Sequence, residues 1–550
     1  MRDQTGGIVI AALMHLFDRV FVDLARQFRW SYLPPLMVYL AAGLSGITAI
    51  VGTFFVKEYL GLSAAFLASL GFWAGIPWVL KMPLGHLVDL IWRWKAWLVY
   101  LGATLIAVSI AVMFGLVAHT EAMGAVMPVA HWYVLSVILA PVGYVIQDVV
   151  ADAMTVEAVP LFDDDGNPFP DDKIRAMHTT MQTLGRFAII SGFVIVAALN
   201  IGKFDGVAAL SAAEKVAIYS DIYQLALAIP VISILGVTLG VASLAARARA
   251  ARRSGVSEEQ IAQILTASQG TTEPNWWIFG GSLAFVAFTL TIGLRQVPFG
   301  QEIIFAGSML IVLMIMSRLI RELDPAMRGA LVGTAIIIFI FRAVPLPGPG
   351  ATWWEIDVLG FDQQFLSVLS LITSGLTLVG IIVLRPLMAT RSIAYIVVLL
   401  TLVGGLLTLP NIGLFYGLHE WTALWSGGIV DARFIAILDT ALESPLGQVA
   451  MIPMLAWIAK NAPPHLKATF FAVMASFTNL ALSASSLGTK YLNQIFTITR
   501  EVRDQVTGTI DTLANYSELG WLLITVALLS TAIPLLAVLA VQRSRLRTTQ

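Results

Sequence analysis

The sequence predicts an all-α polytopic membrane protein, and three observations support that prediction. Of the 550 residues, 58% are hydrophobic and only 12% are charged, and the mean hydropathy is +0.83. Soluble domains usually carry about 25% charged residues. About fourteen apolar runs are long enough to cross a bilayer as helices, which takes about 20 residues each. Basic residues also concentrate in alternate loops, as expected for a chain that crosses a membrane repeatedly.

The apolar runs fall into two sets of six with a pair between them. The first six lie near 33–55, 62–83, 96–117, 130–157, 180–201 and 222–246. The pair lies near 276–293 and 302–319, and the last six lie near 329–346, 363–385, 392–413, 429–459, 466–490 and 519–541.

The loop charges predict an even number of spans with both termini in the cytoplasm, because cytoplasmic loops are enriched in Lys and Arg. With that orientation the outside segments 118–129, 346–362 and 414–428 contain no basic residue. The expected location is the inner membrane of a bacterium. The basic residues that break the rule, in loops predicted to lie outside, are Lys57, Lys203, Lys215, Arg295, Arg500 and Arg503.

A short internal repeat favours two halves of the same orientation. "EYLGLSAAFLASL" (58–70) and "DVLGFDQQFLSVL" (357–369) share an acid, Leu-Gly, Phe-Leu and a final Leu at one offset. The copies are eight spans apart, so they point the same way through the membrane, as in transporters built from parallel repeats. The expected divisions begin with an N-terminal amphipathic segment (1–31), a six-helix bundle (32–246) and a cytoplasmic linker (247–275). An inserted helix pair (276–320), a second six-helix bundle (329–541) and a cytoplasmic tail (542–550) follow.

Charged residues inside the apolar runs are the best candidates for function, because an ionised group in mid-membrane is costly and usually faces a cavity or a partner. Asp148 and Asp152 are one helical turn apart, and Lys81 lies at a similar depth in another span. We expect Lys81 to lie between these carboxylates until a proton or substrate disturbs them. The residues predicted to bind substrate or protons are Lys81, Asp148, Asp152, Arg186, Arg342, Asp439 and Glu443.

A second charged set is expected at the cytoplasmic edge of the membrane. Gly85, Asp89 and Arg93 follow one another at four-residue spacing, and Glu157 ends the fourth run at the same edge. An Arg93–Glu157 ion pair there would act as a cytoplasmic gate, although an ordinary basic loop is an alternative. Asp431 and Arg433 lie near the end of a span, and for them we expect a purely structural role.

Other functional classes find little support in the sequence. The chain has no cysteine and seven scattered histidines, and it contains no metal-binding or nucleophile motif of the common kinds, so no metal, cofactor or enzymatic activity is expected. A net charge of −1 gives no field that would attract nucleic acid. The expected partners are a small-molecule substrate, protons and the lipid bilayer, with a monomer as the expected oligomeric state. A non-transporting membrane scaffold or sensor stays an alternative.

The Gly-x-x-x-Asp-x-x-x-Arg spacing of 85–93 resembles the loop signature of the major facilitator superfamily. Four further stretches resemble the folate-biopterin transporter family within it: "KEYLGL" followed by "GIPWVLKMPLGHLVD", "QDVVADAMTVE", "FIFRAVPLPGPGATWWEIDVLGF" and "KNAPPHLKATFFAVMASFTNLALSASS". They occur in the family's order. The pair of runs at 276–320 departs from that family's twelve-helix plan.

This resemblance implies a secondary active transporter that works by alternating access, often with protons. It implies a folate- or pterin-like cargo, for which Lys81, Arg186 and Arg342 would supply charge. Phe72, Trp73 or Trp78 would then supply a stacking face. Muropeptides, sugars and lipid-like metabolites are the alternative cargoes for the same fold.

Overall fold

The computed structural model is almost entirely helical. It describes residues 28–60, 62–79, 81–160, 169–253, 255, 261, 276–295, 297–321, 325–384, 387, 391–446, 467–503 and 510–547. Three predicted features fall mostly outside these residues: the amphipathic segment 1–31, the linker 247–275 and the second half of the run near 429–459.

Ten helices make up the described part of the first half. They are α1 (Leu33–Leu44), α2 (Ala49–Tyr59), α3 (Ala64–Val79), α4 (Lys81–Leu90), α5 (Lys95–Ala118), α6 (Thr120–Val126), α7 (Val129–Ala158), α8 (Asp171–Lys203), α9 (Ala212–Ala226) and α10 (Ala228–Arg253). A 3-10 turn, Ser45–Thr48, joins α1 to α2, so the two form one continuous rod.

Ten more helices follow in the described residues. They are α11 (Trp276–Leu294), α12 (Gly300–Arg321), α13 (Pro325–Ala343), α14 (Pro349–Asp357), α15 (Gln363–Val383), α16 (Ile393–Phe415), α17 (Leu418–Ser426), α18 (Ala432–Glu443), α19 (Lys467–Ile495) and α20 (Leu519–Gln542). Two short antiparallel strands, β1 (Val502–Arg503) and β2 (Ile510–Thr512), lie between α19 and α20.

The lengths and compositions of these helices suit a membrane. Within the described residues, nine helices are long and apolar enough to cross a bilayer, and two shorter apolar helices, Ala64–Val79 and Leu283–Gly293, accompany them. The structure therefore shows a polytopic helical membrane protein, while the count of about fourteen spans stays a prediction.

The course of the chain defines two ends of the bundle. The α1–α2 rod ends at Lys57, α3 and α4 run back across the bundle, and α5 begins at Lys95 on the opposite side. We call these ends the Lys57 face and the Lys95 face. The Lys95 face is the one predicted to be cytoplasmic.

Glycines allow close helix packing within the first half. A Cβ on Gly43 of α1 would lie 2.1 Å from the carbonyl oxygen of Ile189 on α8, and one on Gly192 would lie 2.7 Å from the Cα of Gly43. The backbones of α1 and α8 therefore touch. Such contacts between small residues are a common basis of helix association in membranes.

The two halves meet along α3 and α19. The Ser476 hydroxyl donates to the carbonyl of Val79 at 3.0 Å, and the Asn479 amide donates to the carbonyl of Trp78 at 3.3 Å. Gly75 faces Ser483, whose Oγ would lie 3.2 Å from a Cβ at position 75. The α3–α19 seam is thus held by polar contacts to backbone as well as by apolar packing.

The helix pair α11–α12 packs over this seam and contacts both of its helices. Lys490 of α19 donates to Glu302 of α12 at 2.6 Å, and Gln301 donates to the Ser69 hydroxyl of α3 at 2.6 Å. A Cβ on Gly293 of α11 would lie 3.0 Å from the Trp73 ring of α3. The pair is therefore tied to one helix from each half.

Candidate functional site

A charge cluster of two half-buried side chains and one exposed side chain lies between α4 and α7. The Lys81 ammonium is 2.5 Å from Asp148 Oδ2 and 2.9 Å from Asp152 Oδ2. The two acids share one face of α7 because they are four residues apart. The hydroxyl of Tyr39 on α1 donates to Asp152 Oδ1 at 2.7 Å. The expected ion pairs are thus present, and Tyr39 is a fourth group, which the sequence did not single out.

The two aspartates differ in their access to water. The Asp152 side chain is 48% exposed, whereas Asp148 and Lys81 are 21% and 23% exposed. Arg186 on α8 is exposed and close enough to interact electrostatically with Asp148. Of the predicted cations, Lys81 is therefore bonded to the aspartates and Arg186 only influences them. Asp148 is the more enclosed acid of the pair.

At the Lys95 face, Glu157 forms an ion pair with Lys95. Both side chains are about nine-tenths buried, with 8% and 10% exposed, and the Lys95 ammonium also lies 4.1 Å from the centre of the Trp92 ring. The expected partner of Glu157 was Arg93. The observed partner is Lys95, because a 3-10 turn at Trp92–Trp94 turns the first residue of α5 towards α7. The side chains of Asp89 and Arg93 lie outside the described residues, so their role in a gate stays a prediction, as does that of Gly85.

A cavity of about 580 Å³ lies between the two halves, on the Lys57 side of the charge cluster. The first half contributes residues of the Ser45–Thr48 turn and of α2, α3, α5, α7, α9 and α10. The second half contributes Leu346, Gly348, Pro349, Trp353, Ser485, Ser486 and Thr489. Cavities of roughly 300–1,000 Å³ are the usual size of small-molecule sites.

The cavity wall is mostly apolar with hydroxyl groups. Tyr133, Tyr144 and Tyr223 line it from the first half, and Trp353 lines it from the second. Among the described residues, none that lines the cavity is charged. Lys81, Arg186 and Arg342 are thus not part of its wall.

The expected stacking residues lie elsewhere. Phe72 is fully buried in the core that joins α3 to α12 and α13, Trp73 packs against α11, and Trp78 lies beside Asn479. Their assignment to a stacking face is not supported by these positions. The sequence does not indicate which tyrosines face the cavity, because aromatic residues occur throughout the apolar runs.

The predicted charged residues of the second half lie on two helices, α13 and α18. Asp439 of α18 is 7% exposed and accepts a hydrogen bond from Asn411 of α16 at 2.8 Å. Glu443, one turn further on, is exposed, and Arg342 of α13 is half-buried. Glu355 of α14, which the sequence did not single out, interacts electrostatically with Asp439. Burial, aided by that carboxylate, raises the pKa of Glu355 to about 7, and α14 is not one of the candidate spans.

The two residues expected to be structural make structural contacts. Asp431 caps α18, since its carboxylate accepts the Phe434 amide at 2.8 Å. The Arg433 guanidinium donates to the carbonyl of Gly360 at 3.1 Å and lies 3.4 Å from Asp362.

At the Lys57 face a partly buried ion pair joins the halves. Lys57 of α2 pairs with Asp357 at the end of α14, with 7% and 21% of their side chains exposed. The Arg500 guanidinium, which precedes β1, donates to the carbonyls of Lys57 and Leu62. Arg500 also lies 4.4 Å from the centre of the Trp353 ring, and Trp353 lines the cavity. We interpret these contacts as the closure of the cavity at the Lys57 face.

Burial shifts the pKa values of two groups that take part in these contacts, Arg500 and Tyr516. It lowers the pKa of the Arg500 guanidinium to about 10. The Tyr516 hydroxyl donates to Asp357 at 2.5 Å, and burial together with this bond raises the Tyr516 pKa well above its usual value. The sequence did contain a signal for this site, since Lys57 and Arg500 both break the positive-inside rule.

The fold and the site together define a class. Two helical halves meet around a cavity, with contacts between them at the Lys57 face, and this is the fold of a membrane transporter. The chain belongs to the BT1 family, whose family model matches residues 42–548.

A curated relative is the folate-biopterin transporter of Synechocystis sp. It is 28% identical over 146 residues, which make up 26% of this chain and 28% of that protein. The match therefore spans less than a third of the relative.

Solved structures share the fold. A POT family transporter in complex with a thioalcohol-conjugated peptide has a TM-score of 0.56 at 13% identity, covering 92% of this chain and 94% of that one. The nucleoside transporter NupG has a TM-score of 0.50 at 11% identity, covering 94% of this chain and 100% of that one. At these identities the similarity concerns the fold alone.

Proposed function

We propose that this chain is a secondary active transporter that moves a small organic metabolite across the membrane by alternating access. The observation that carries the proposal is the cavity between the halves together with its closure by the Lys57–Asp357 ion pair and Arg500. The Lys57–Asp357 pair and the bonds from Arg500 to the carbonyls of Lys57 and Leu62 join the first half to the second. Rocking the halves apart at the Lys57 face would break them together and open the cavity.

The charge cluster of Lys81, Asp148 and Asp152 is the proposed site of proton coupling. One ammonium cannot neutralise two carboxylates, so the cluster carries a net charge of about −1 when all three groups are ionised, and protonation of one acid removes it. Arg186, Arg342, Asp439 and Glu443 are proposed as further substrate- or proton-binding residues. Gly85, Asp89, Arg93 and Glu157 are the proposed cytoplasmic gate, with Lys95 as the observed partner of Glu157.

The proposed cargo is a folate- or pterin-like metabolite, supported by the family and by the name of the curated relative. The alternatives are a muropeptide, a sugar or a lipid-like metabolite, or a scaffold or sensor that transports nothing. We further propose a bacterial inner-membrane location, cytoplasmic termini and a monomer.

The test is counterflow with purified protein in proteoliposomes. Vesicles preloaded with an unlabelled pterin, folate, nucleoside or muropeptide are diluted into the same labelled compound, and transient accumulation is measured. We expect accumulation for at least one heterocyclic compound and none in protein-free vesicles. Absence of counterflow for every compound, with protein that binds none of them, would favour the scaffold or sensor.

A further inference from the structure

The wall of the cavity restricts the charge of what it can hold. Its described polar groups are hydroxyls, backbone groups and the indole of Trp353, none of them charged, and its other surface is apolar. Several of these hydroxyls are already bonded, since Ser109 and Ser136 share a 2.9 Å hydrogen bond and Ser485 donates to the carbonyl of Val344. A carboxylate moved into this wall would lose its water without gaining a cation from the described lining.

Lys57, Lys81 and Arg500 do not line the cavity. Lys57 is paired with Asp357, and Lys81 is held by two aspartates. Arg500 stacks on the ring of Trp353 and donates to two backbone carbonyls, while its Nη2 has no hydrogen-bond partner in the described residues. A negatively charged cargo held by the described wall would therefore contact no cation.

The wall does offer aromatic faces and hydroxyl donors. Tyr133, Tyr144 and Tyr223 come from α7 and α9, and Trp353 faces the same cavity from the other half. The Tyr133 hydroxyl makes no hydrogen bond to another described residue. Tyrosine combines a flat apolar ring with one polar tip, which suits a planar molecule with polar edges.

We infer that the cavity takes an uncharged planar cargo with hydrogen-bonding edges and rejects relatives of the same ring that carry a carboxylate. This inference rests on the proposed function, since it takes the cavity as the cargo site. It limits the expected cargo to neutral heterocycles and excludes folates, because their tail carries carboxylates.

A pair of probes that differ by one charge tests the inference. Binding of pterin and of pterin-6-carboxylate to the purified full-length protein is measured at pH 7 by titration calorimetry. We expect the carboxylate to bind at least about tenfold more weakly. Glucose, which is neutral but has no aromatic face, should bind more weakly than pterin. Equal or tighter binding of the carboxylate, or of glucose, overturns the inference.

A change in the cavity wall adds a matched comparison. Ser486 lines the cavity, is half-buried and bonds only within its own helix. Ser486→Arg places a cation in the wall and should remove or reverse the discrimination against pterin-6-carboxylate. Ser486→Gln adds similar bulk without charge and should retain the discrimination. Identical selectivity in the two variants contradicts the inference.

Counterflow of the same two probes separates this inference from the proposed function. Binding of pterin without counterflow supports the inference and overturns transport. Counterflow of pterin and its carboxylate with equal affinity supports transport and overturns the inference. Failure of every probe to bind overturns the inference, and the wider counterflow panel then decides the proposed function.

Discussion

Asp148 and Asp152 illustrate how two identical side chains on one helix face acquire different environments. Both contact Lys81, but Asp152 also accepts the Tyr39 hydroxyl and has more than twice the exposed fraction. The more enclosed Asp148 depends more heavily on Lys81 for its charge balance. We therefore expect Asp148 to be the acid whose neutralisation most affects coupling.

The first prediction concerns Asp148→Asn. The variant should lose accumulation driven by a pH gradient while retaining counterflow, because exchange of cargo for cargo needs no net proton movement. The measurement is uptake of labelled cargo in proteoliposomes with and without an imposed gradient.

The matched control is Asp221→Asn. Asp221 lies 3.5 Å from Lys203 in an exposed pair, with 58% and 43% of the side chains exposed, and such pairs contribute little. This variant should behave as the wild type. Undiminished gradient-driven uptake by Asp148→Asn would show that Asp148 is not the coupling acid.

The second prediction concerns the closing ion pair. Asp357→Asn leaves the buried Lys57 ammonium without its counter-ion and should destabilise the closed Lys57 face by about 1–3 kcal/mol, less than for a fully buried pair. A single cysteine replacing Thr53, which lines the cavity, should then react with a maleimide roughly five- to hundredfold faster. The exchanged pair Lys57→Asp/Asp357→Lys should slow the reaction again, and failure to do so would count against a direct interaction.

At the scale of the element, α14 links the cavity wall to the second half. It presents Trp353 to the cavity, Asp357 to Lys57, and Glu355 towards Asp439. These residues are two positions apart along one short helix. A movement of α14 must therefore change all three environments together.

The third prediction follows from Glu355. Its ordinary pKa of 4.5 is raised to about 7 in this closed conformation. A raised carboxyl pKa means that the stabilisation is complete below the ordinary value and is lost as the pH rises through about 7. As the pH is raised from 5 to 8, the thermal midpoint of the wild type should fall relative to that of Glu355→Gln, which has no titrating carboxyl at this position. Glu420→Gln, an exposed change on α17, should keep the wild-type pH profile.

The ion pairs of α7 show which contacts the sequence predicts and which it does not. The contact of Lys81 with the two carboxylates of α7 could be predicted. Residues four apart share one face of a helix, and Lys81 lies at a similar depth in its own span. The pairing of Glu157 with Lys95 could not be predicted, because a 3-10 turn precedes α5 and sets the direction of Lys95, its first residue. Short turns between helices have no periodicity from which a side-chain direction can be obtained.

At the scale of the molecule, the two repeat segments lie at the same face. They lead into α3 and α15, and the acid at the start of the second copy, Asp357, pairs with the lysine that precedes the first. The fold could be predicted from the number, length and charge of the apolar runs. The cavity could not, because its lining depends on how each helix is rotated, and nearly uniform apolar helices give no signal of that rotation.

The fourth prediction tests alternation in the whole molecule. Gln364 donates to Asp205 at 3.1 Å between the halves at the Lys57 face. Because the chain has no cysteine, Asp205→Cys/Gln364→Cys can be cross-linked without background by a short bismaleimide. Cross-linking should abolish counterflow.

The control pair for this experiment lies within one half. Lys203→Cys/Asp221→Cys joins two residues of the first half near the same face, and its cross-linking should leave counterflow intact. Transport that survives the Asp205–Gln364 cross-link would exclude separation of the halves at this face.

The position of α11 and α12 has a consequence for how a cargo enters. The pair covers the α3–α19 seam and is bonded to Ser69 on one side of it and Lys490 on the other. A molecule dissolved in the acyl chains would meet these two helices before it reached that seam. Lateral entry from the bilayer is blocked along this side, so a cargo must come through water at an end of the bundle or along the opposite seam, where α8 packs against α15.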